Sequence, residues 1–425
     1  MASLNTLSVA ERQARLSELR TEYAAFCEKG LHLDMSRGKP GADILCLAPG
    51  LLDCVNEQSG TLAENGFDTR NYGILDGIPE AKRLFADIFG VSPDNVIVGG
   101  SSSLNMMFDY IATAYAKGIC GGEPWAKQGA VKFLCPVPGY DRHFAVTEFF
   151  GIEMINVPLT ADGPDMELVE TLVKDPLVKG MWCVPMYANP TGLTYSDETV
   201  RRLAALKPAA ADFRIMWDNA YCLHHLGDEQ DTLLNLFEAA TAAGNEDIAV
   251  MFTSTSKVSF PGSGVAALAA SARNLADIKK RLTIQTIGYD KINMLRHVRY
   301  FKDLDGIKEQ MKRRADVLRP KFETVLRLLN DRLGGKGVAE WTNPRGGYFI
   351  SVDLVDGCAS RVASLMKDAG VVITGAGATF PYHKDPRDRN LRLAPSFPPV
   401  EELELSATLF CICAEMAAIE KSLGE

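Results

Sequence analysis

Between residues 80 and 270 short apolar runs alternate with stretches in which apolar residues return every three or four positions. The runs Asn95–Gly99, Val131–Pro136, Glu153–Pro158, Gly180–Pro185, Arg214–Asp218, Ile248–Phe252 and Val265–Ser271 have the length and side-chain character of strands. Leu104–Lys117, Met166–Lys174 and Ser196–Leu206 carry the helical period. This alternation predicts an α/β fold with a mostly parallel sheet covered by helices on both faces. Such sheets bind ligands beyond the carboxyl ends of their strands.

The two ends of the chain read differently. Leu16, Leu19, Tyr23 and Phe26 share one face of an N-terminal helix, and the turn Ser36-Arg37-Gly38-Lys39-Pro40-Gly41 cannot continue it. After residue 310 the pattern predicts a helix over Val317–Leu333 and the turn Asn343-Pro344-Arg345-Gly346-Gly347. A strand Tyr348–Asp353, a helix Ser360–Asp368 and strands Val371–Thr374 and Asn390–Ala394 come next. A last helix shows the apolar stripe Leu409, Ile412, Met416 and Ile419. With 425 residues the chain exceeds what one core usually serves. We therefore expect a large domain over residues 51–310 and a smaller α+β domain over 311–425, joined by residues 1–50.

Composition narrows the function. A formal net charge of −9, with no block of basic residues, gives no electrostatic reason to approach nucleic acid or a membrane surface. The ten cysteines include no Cys-x-x-Cys pair and read mostly as buried, reduced thiols, with Cys411 and Cys413 on different faces of their helix. The six histidines show no familiar metal-ligand spacing, so no metal is expected. No signal peptide or membrane-length apolar run is visible, which makes the cytoplasm the expected address.

Five segments at strand ends could carry chemistry, and each alone has an ordinary explanation. Ser254-Thr255-Ser256-Lys257 places a lysine where it could form a Schiff base, although most lysines only solvate a surface. Asp218, in Trp217-Asp218-Asn219-Ala220-Tyr221, could face a cofactor nitrogen or simply cap a turn. Tyr221 could bond a cofactor phenolate. So could Asn189, in Tyr187-Ala188-Asn189-Pro190-Thr191-Gly192, a sequence that also makes a good turn. Gly99-Gly100-Ser101-Ser102-Ser103 could cradle a phosphate at a helix N-terminus, or be a plain N-cap. Arg392, in Asn390-Leu391-Arg392-Leu393-Ala394, suits a carboxylate or a structural salt bridge.

In this order the five segments resemble the fold-type I, class I aminotransferases over nearly the whole chain, and within them the class I-like bacterial aspartate aminotransferase group. Asn71-Tyr72-Gly73-Ile74-Leu75-Asp76-Gly77-Ile78-Pro79-Glu80, Pro138-Gly139-Tyr140-Asp141-Arg142-His143 and Pro344-Arg345-Gly346-Gly347-Tyr348-Phe349 match as well. The resemblance implies pyridoxal 5′-phosphate on Lys257, with Asp218 at the ring nitrogen, His143 behind it, and Asn189 and Tyr221 at the phenolate. It implies Tyr140 stacked on the ring and Gly100, Ser101, Ser102, Ser103 and Ser254 about the phosphate. It implies Tyr72 reaching the partner subunit of a homodimer, and Gly38, Asn189 and Arg392 at the substrate. Substrates would be an amino acid and a 2-oxo acid: aspartate or glutamate with 2-oxoglutarate or oxaloacetate. Arg37 and Arg142 are candidates for a second carboxylate.

One departure stands out: where most relatives place a phosphate-pairing arginine, this chain has Gly262-Ser263-Gly264. Three other functions fit the same motifs. They are a carbon–sulfur β-lyase, an aromatic or kynurenine aminotransferase, and a non-catalytic regulator or binding protein keeping the motifs as relics.

Overall fold

The computed structural model describes residues 4–424. Its main sheet has eight strands, in the order Val96–Val98, Ala266–Ala270, Ala249–Ser254, Arg214–Asp218, Val178–Cys183, Lys132–Val137, Glu153–Thr160 and Gly163–Pro164. The run from Ala249–Ser254 to Glu153–Thr160 is parallel throughout. Ala266–Ala270 runs against both of its neighbours, and Gly163–Pro164 closes the other edge antiparallel. The strands from Ala266–Ala270 to Lys132–Val137 are buried along almost their whole length, because both faces are covered, whereas Glu153–Thr160 is partly exposed. Ile215, Trp217, Met251 and Ala267 pack on one side with Phe85, Val200 and Leu236. Met216, Val250, Phe252 and Leu268 pack on the other with Met107, Ile111 and Ile278.

The C-terminal part carries an antiparallel sheet of Ala339–Trp341, Ile350–Leu354 and Asn390–Leu393. The N-terminal segment joins it, since Leu33–Asp34 pairs in parallel with Val371–Val372. Its helix Val9–Cys27 starts on a capping box, in which the Ser8 N–H donates to the Glu11 carboxylate at 2.7 Å while Ser8 Oγ accepts from the Glu11 N–H. Leu16 and Leu19 are buried in one core with Leu318, Phe322, Phe410 and Cys413.

Two helices differ from the expectation. The long one runs over Leu304–Leu333, beginning well before Val317 and continuing across residue 310. Its first turns are rich in charged residues, which mask the buried stripe Ile307, Met311, Arg314 and Leu318. The last helix, Val400–Leu423, has no single apolar stripe: every residue from Leu409 to Glu420 is buried, because the N-terminal and long helices both pack on it. Cys411 and Cys413 are thus both enclosed, although only half of the ten cysteines are buried. Among the described residues no helix is long and apolar enough to cross a membrane.

Candidate active site

Parallel register sets the centre of the site. Asp218 ends its strand opposite Phe252 of the neighbouring strand, and the Asn219 N–H extends the ladder to Phe252 O at 2.9 Å. The neighbour continues through Ser254 into the tight turn Thr255–Lys257. Lys257 Nζ consequently lies 4.7 Å from the Tyr221 ring centroid. Burial pulls this amine below the ordinary lysine range, and the charge of Asp218 pulls the other way. A lysine that loses its proton readily is a nucleophile near neutral pH.

Asp218 is buried, and its Oδ2 lies 3.0 Å from His143 Nε2. His143 is held flat on Trp182, with centroids 4.4 Å apart and planes at 10°. Asp218 Oδ1 is buried with no hydrogen-bond partner. Leaving such an atom unpaired costs about 1–3 kcal/mol or more, so this oxygen calls for a donor from a bound molecule, as a protonated pyridine nitrogen would be. Tyr140 stands edge-on to His143 at 4.9 Å, its hydroxyl pushed up to about 12 by burial and then by Asp218 and Asp141. Burial also pushes the Tyr221 hydroxyl well above the usual range.

Arg392 sits at the edge of this centre, on the C-terminal sheet. Its Nη1 donates to Asp141 Oδ1 at 2.9 Å and to Asn189 Oδ1 at 3.0 Å, and its Nε reaches Thr374 Oγ1 at 3.4 Å. The guanidinium carbon lies 4.8 Å over the Phe349 ring. That ring is also why residue 38 is glycine: a Cβ there would lie 2.3 Å from Phe349 Cζ. Gly38, Phe349, Arg392 and Asn189 therefore lie in one run of contacts.

The small-residue loop forms a cup. Gly100 has φ +70°, and a Cβ on Gly99 would meet the Tyr289 ring at 2.1 Å. Ser102 caps the helix Ser103–Lys117, accepting from the Leu104 N–H at 3.2 Å, while Ser103 is buried in its first turn. Ser254 Oγ bonds Ser256 Oγ at 3.1 Å, and Ser256 Oγ donates to Ser101 O at 3.1 Å, which ties the lysine turn to the cup. Where an arginine was expected, a Cβ on Gly264 would lie 2.9 Å from both Ser256 N and Ser256 Oγ, so the serine fills that space. Hydroxyls, free amides and a helix N-terminus at one point suit an anion such as a phosphate.

Three predicted residues stay outside this cluster. Tyr72 is 77 % exposed. Arg37 and Arg142 are exposed, and neither makes an ion pair or side-chain hydrogen bond among the described residues. Asp141 and Trp182 had no assigned part, and nothing local marks them. Arg314 went unmarked as well, because the charged first turns of its helix mask the buried stripe on which it lies.

Fold and site together define an aminotransferase of the fold-type I class. The chain matches the family described as aspartate amino-transferase over residues 7–425, and it belongs to that family. It is 47% identical over 404 residues to an aspartate aminotransferase of Corynebacterium glutamicum, covering 95% of this chain and 93% of the relative. A crystal structure of an aspartate transaminase from C. glutamicum superposes with a TM-score of 0.96 at 46% identity, covering 99% of both chains. The fold extends to the α-aminoadipate aminotransferase of Thermus thermophilus complexed with N-(5′-phosphopyridoxyl)-L-leucine. That structure has a TM-score of 0.72 at 20% identity, over 94% of this chain and 95% of that one.

Proposed function

We propose that this aminotransferase holds pyridoxal 5′-phosphate on Lys257 and moves the amino group of aspartate or glutamate to 2-oxoglutarate or oxaloacetate, in two half-reactions. The observation that carries the cofactor assignment is the unpartnered Asp218 Oδ1 beside the depressed Lys257 amine. Pyridoxal phosphate, once bound, supplies a sink for the electrons left when a bond at the substrate α-carbon breaks. Lys257 would take the proton from that carbon and deliver it to the imine carbon of the cofactor. Asp218, steadied by His143, would keep the ring nitrogen protonated. Asn189 and Tyr221 would hold the phenolate, and Tyr140 would cover the ring. Gly100, Ser101, Ser102, Ser103 and Ser254 would surround the phosphate, with Tyr72 reaching across from a second subunit. Arg392 and Gly38 fix the α-carboxylate, whose position directs the α C–H bond toward Lys257.

Preference for aspartate rests on the similarity to the C. glutamicum aspartate aminotransferase and on two unpaired cations, Arg37 and Arg142, flanking Gly38 and His143 in sequence. A homodimer is supported by Tyr72 and by exposed Leu62, Ile284 and Ile287. These segments adjoin, since a Cβ on Gly288 would lie 2.7 Å from Gly73 O, and a second copy would cover their apolar side chains. Free thiols throughout fit a reducing cytoplasm. The joining of residues 1–50 to the C-terminal part is supported by the pairing of Leu33–Asp34 with Val371–Val372.

The test is single-turnover absorbance with a panel of amino acids. Aspartate and glutamate should discharge the visible band fastest, and 2-oxoglutarate should restore it. Arg142→Ala or Arg37→Ala should slow these two more than alanine by about tenfold or more, the worth of a charge-assisted hydrogen bond. Faster discharge by kynurenine or phenylalanine would move the assignment to aromatic substrates. Release of pyruvate and ammonia from cysteine conjugates would move it to the β-lyase.

A further inference from the structure

Behind the lysine turn lies a cation that the transamination chemistry does not use. Arg314, on the helix Leu304–Leu333, is 0 % exposed and pairs with no carboxylate among the described residues. Its Nη1 donates to the backbone carbonyl of Lys257 at 2.9 Å and its Nη2 to that of Ser259 at 2.5 Å, while Nε is buried without a partner. Two weaker donors converge on the same Lys257 carbonyl: His224 Nε2 at 3.3 Å and Tyr348 Oη at 3.4 Å. Taking an unpaired guanidinium out of water costs several kcal/mol. A neutral residue could fill the volume without that cost, so stability alone is a poor reason to keep the charge there. A planar fork, by contrast, fixes two carbonyls relative to each other as no apolar side chain can.

We infer that Arg314 is a positioning residue for Lys257: by clasping the carbonyls of Lys257 and Ser259 it fixes the direction in which the lysine side chain leaves the turn. The inference rests on Lys257 being the cofactor-bearing lysine. The clasp comes from the helix that carries the chain into the C-terminal part, so Arg314 couples the aim of Lys257 to the unit that holds Arg392. Proton transfer at the α-carbon is sensitive to such aim, and a displacement of about 1 Å is enough to cost on the order of 100-fold in rate.

The test uses cofactor-loaded Arg314→Met, Arg314→Lys and Lys257→Ala. Arg314→Met should lose about 10- to 100-fold in kcat with substrate KM within about twofold, since Arg392 is untouched. The visible circular dichroism of the bound cofactor, which reports its setting rather than turnover, should change in sign or amplitude. Arg314→Lys keeps one donor and should recover part of both signals; if the Met variant fails to accumulate, this variant decides. Wild-type kcat and superimposable visible dichroism in the variant that folds would overturn the inference, as would a loss confined to KM. Failure of the underlying assignment reads differently: Lys257→Ala would then still bind the cofactor covalently.

Discussion

Arg392 illustrates how much of this site depends on single side chains. Asp141 and Asn189 hold its Nη1, Thr374 steadies Nε, and Phe349 supports the plane. A lysine would keep the charge but could not fill this frame or offer a planar fork to a carboxylate. Arg392→Lys should therefore lower kcat/KM for every amino acid by about ten- to a hundredfold, the equivalent of roughly 1.5–3 kcal/mol, with the visible cofactor band intact. Unchanged kcat/KM would remove Arg392 from the substrate. The residues legible in the sequence, Lys257, Asp218, Asn189 and Arg392, all lie in or just past an apolar run, where a strand-end reading applies. Asp141 was not legible as the partner of Arg392, because the two are 251 positions apart and only the fold joins them. Arg314 was missed for the opposite reason: its helix reads as charged until the buried stripe is known.

At the scale of elements, the predicted strands lie within a few residues of observed ones, and their mostly parallel direction was readable. The strand order, the antiparallel exceptions and the short strands Leu33–Asp34, Gly163–Pro164 and Ala339–Trp341 were not. Ala266–Ala270 is buried on both faces, so its sequence carries no mark of running antiparallel. The lysine turn likewise depends on an element that the pattern did not connect to it, the helix Lys291–Phe301. There His297 Nδ1–H donates to Asn293 O at 2.8 Å, which leaves Nε2 to accept from Ser259 Oγ at 2.7 Å. Burial holds His297 down to about 4, and His224 beneath Lys257 down to about 3. Both stay neutral in the folded chain while the unfolded chain takes up protons below about pH 6.5. Their contribution to stability is therefore complete above that pH and is lost as pH falls toward 4, by up to about 1.4 kcal/mol per pH unit for each group. His297→Gln removes one titrating group, so its thermal midpoint should fall less steeply from pH 6.5 to 4 than that of the unsubstituted protein. An equal slope would assign the acid sensitivity elsewhere.

Over the whole molecule, the N-terminal helix is bound to the last helix by charge as well as by Leu16 and Leu19. Arg15 and Lys336 meet Glu415, while Arg20 and Arg361 meet Glu420. On the other part of the chain Tyr72, Ile284 and Ile287 are exposed. If these form the dimer face, each site combines Lys257 of one protomer with Tyr72 of the other. Mixing Lys257→Ala with Tyr72→Ala protein, each impaired alone, should then restore activity in hybrid dimers. A mixture no more active than its components would place Tyr72 outside the shared site. The expected subunit arrangement rests on the family resemblance, because an exposed tyrosine carries no local sign of a partner.

The most direct test of the account is to trap the cofactor on the chain. The purified enzyme is reduced with borohydride, digested, and its peptides weighed. We predict one phosphopyridoxyl group, on Lys257, and its absence when aspartate is added without an oxo acid before reduction, because the amino group then resides on the cofactor and the lysine is free. A label on another lysine, or none after incubation with pyridoxal phosphate, would contradict the assignment of Lys257.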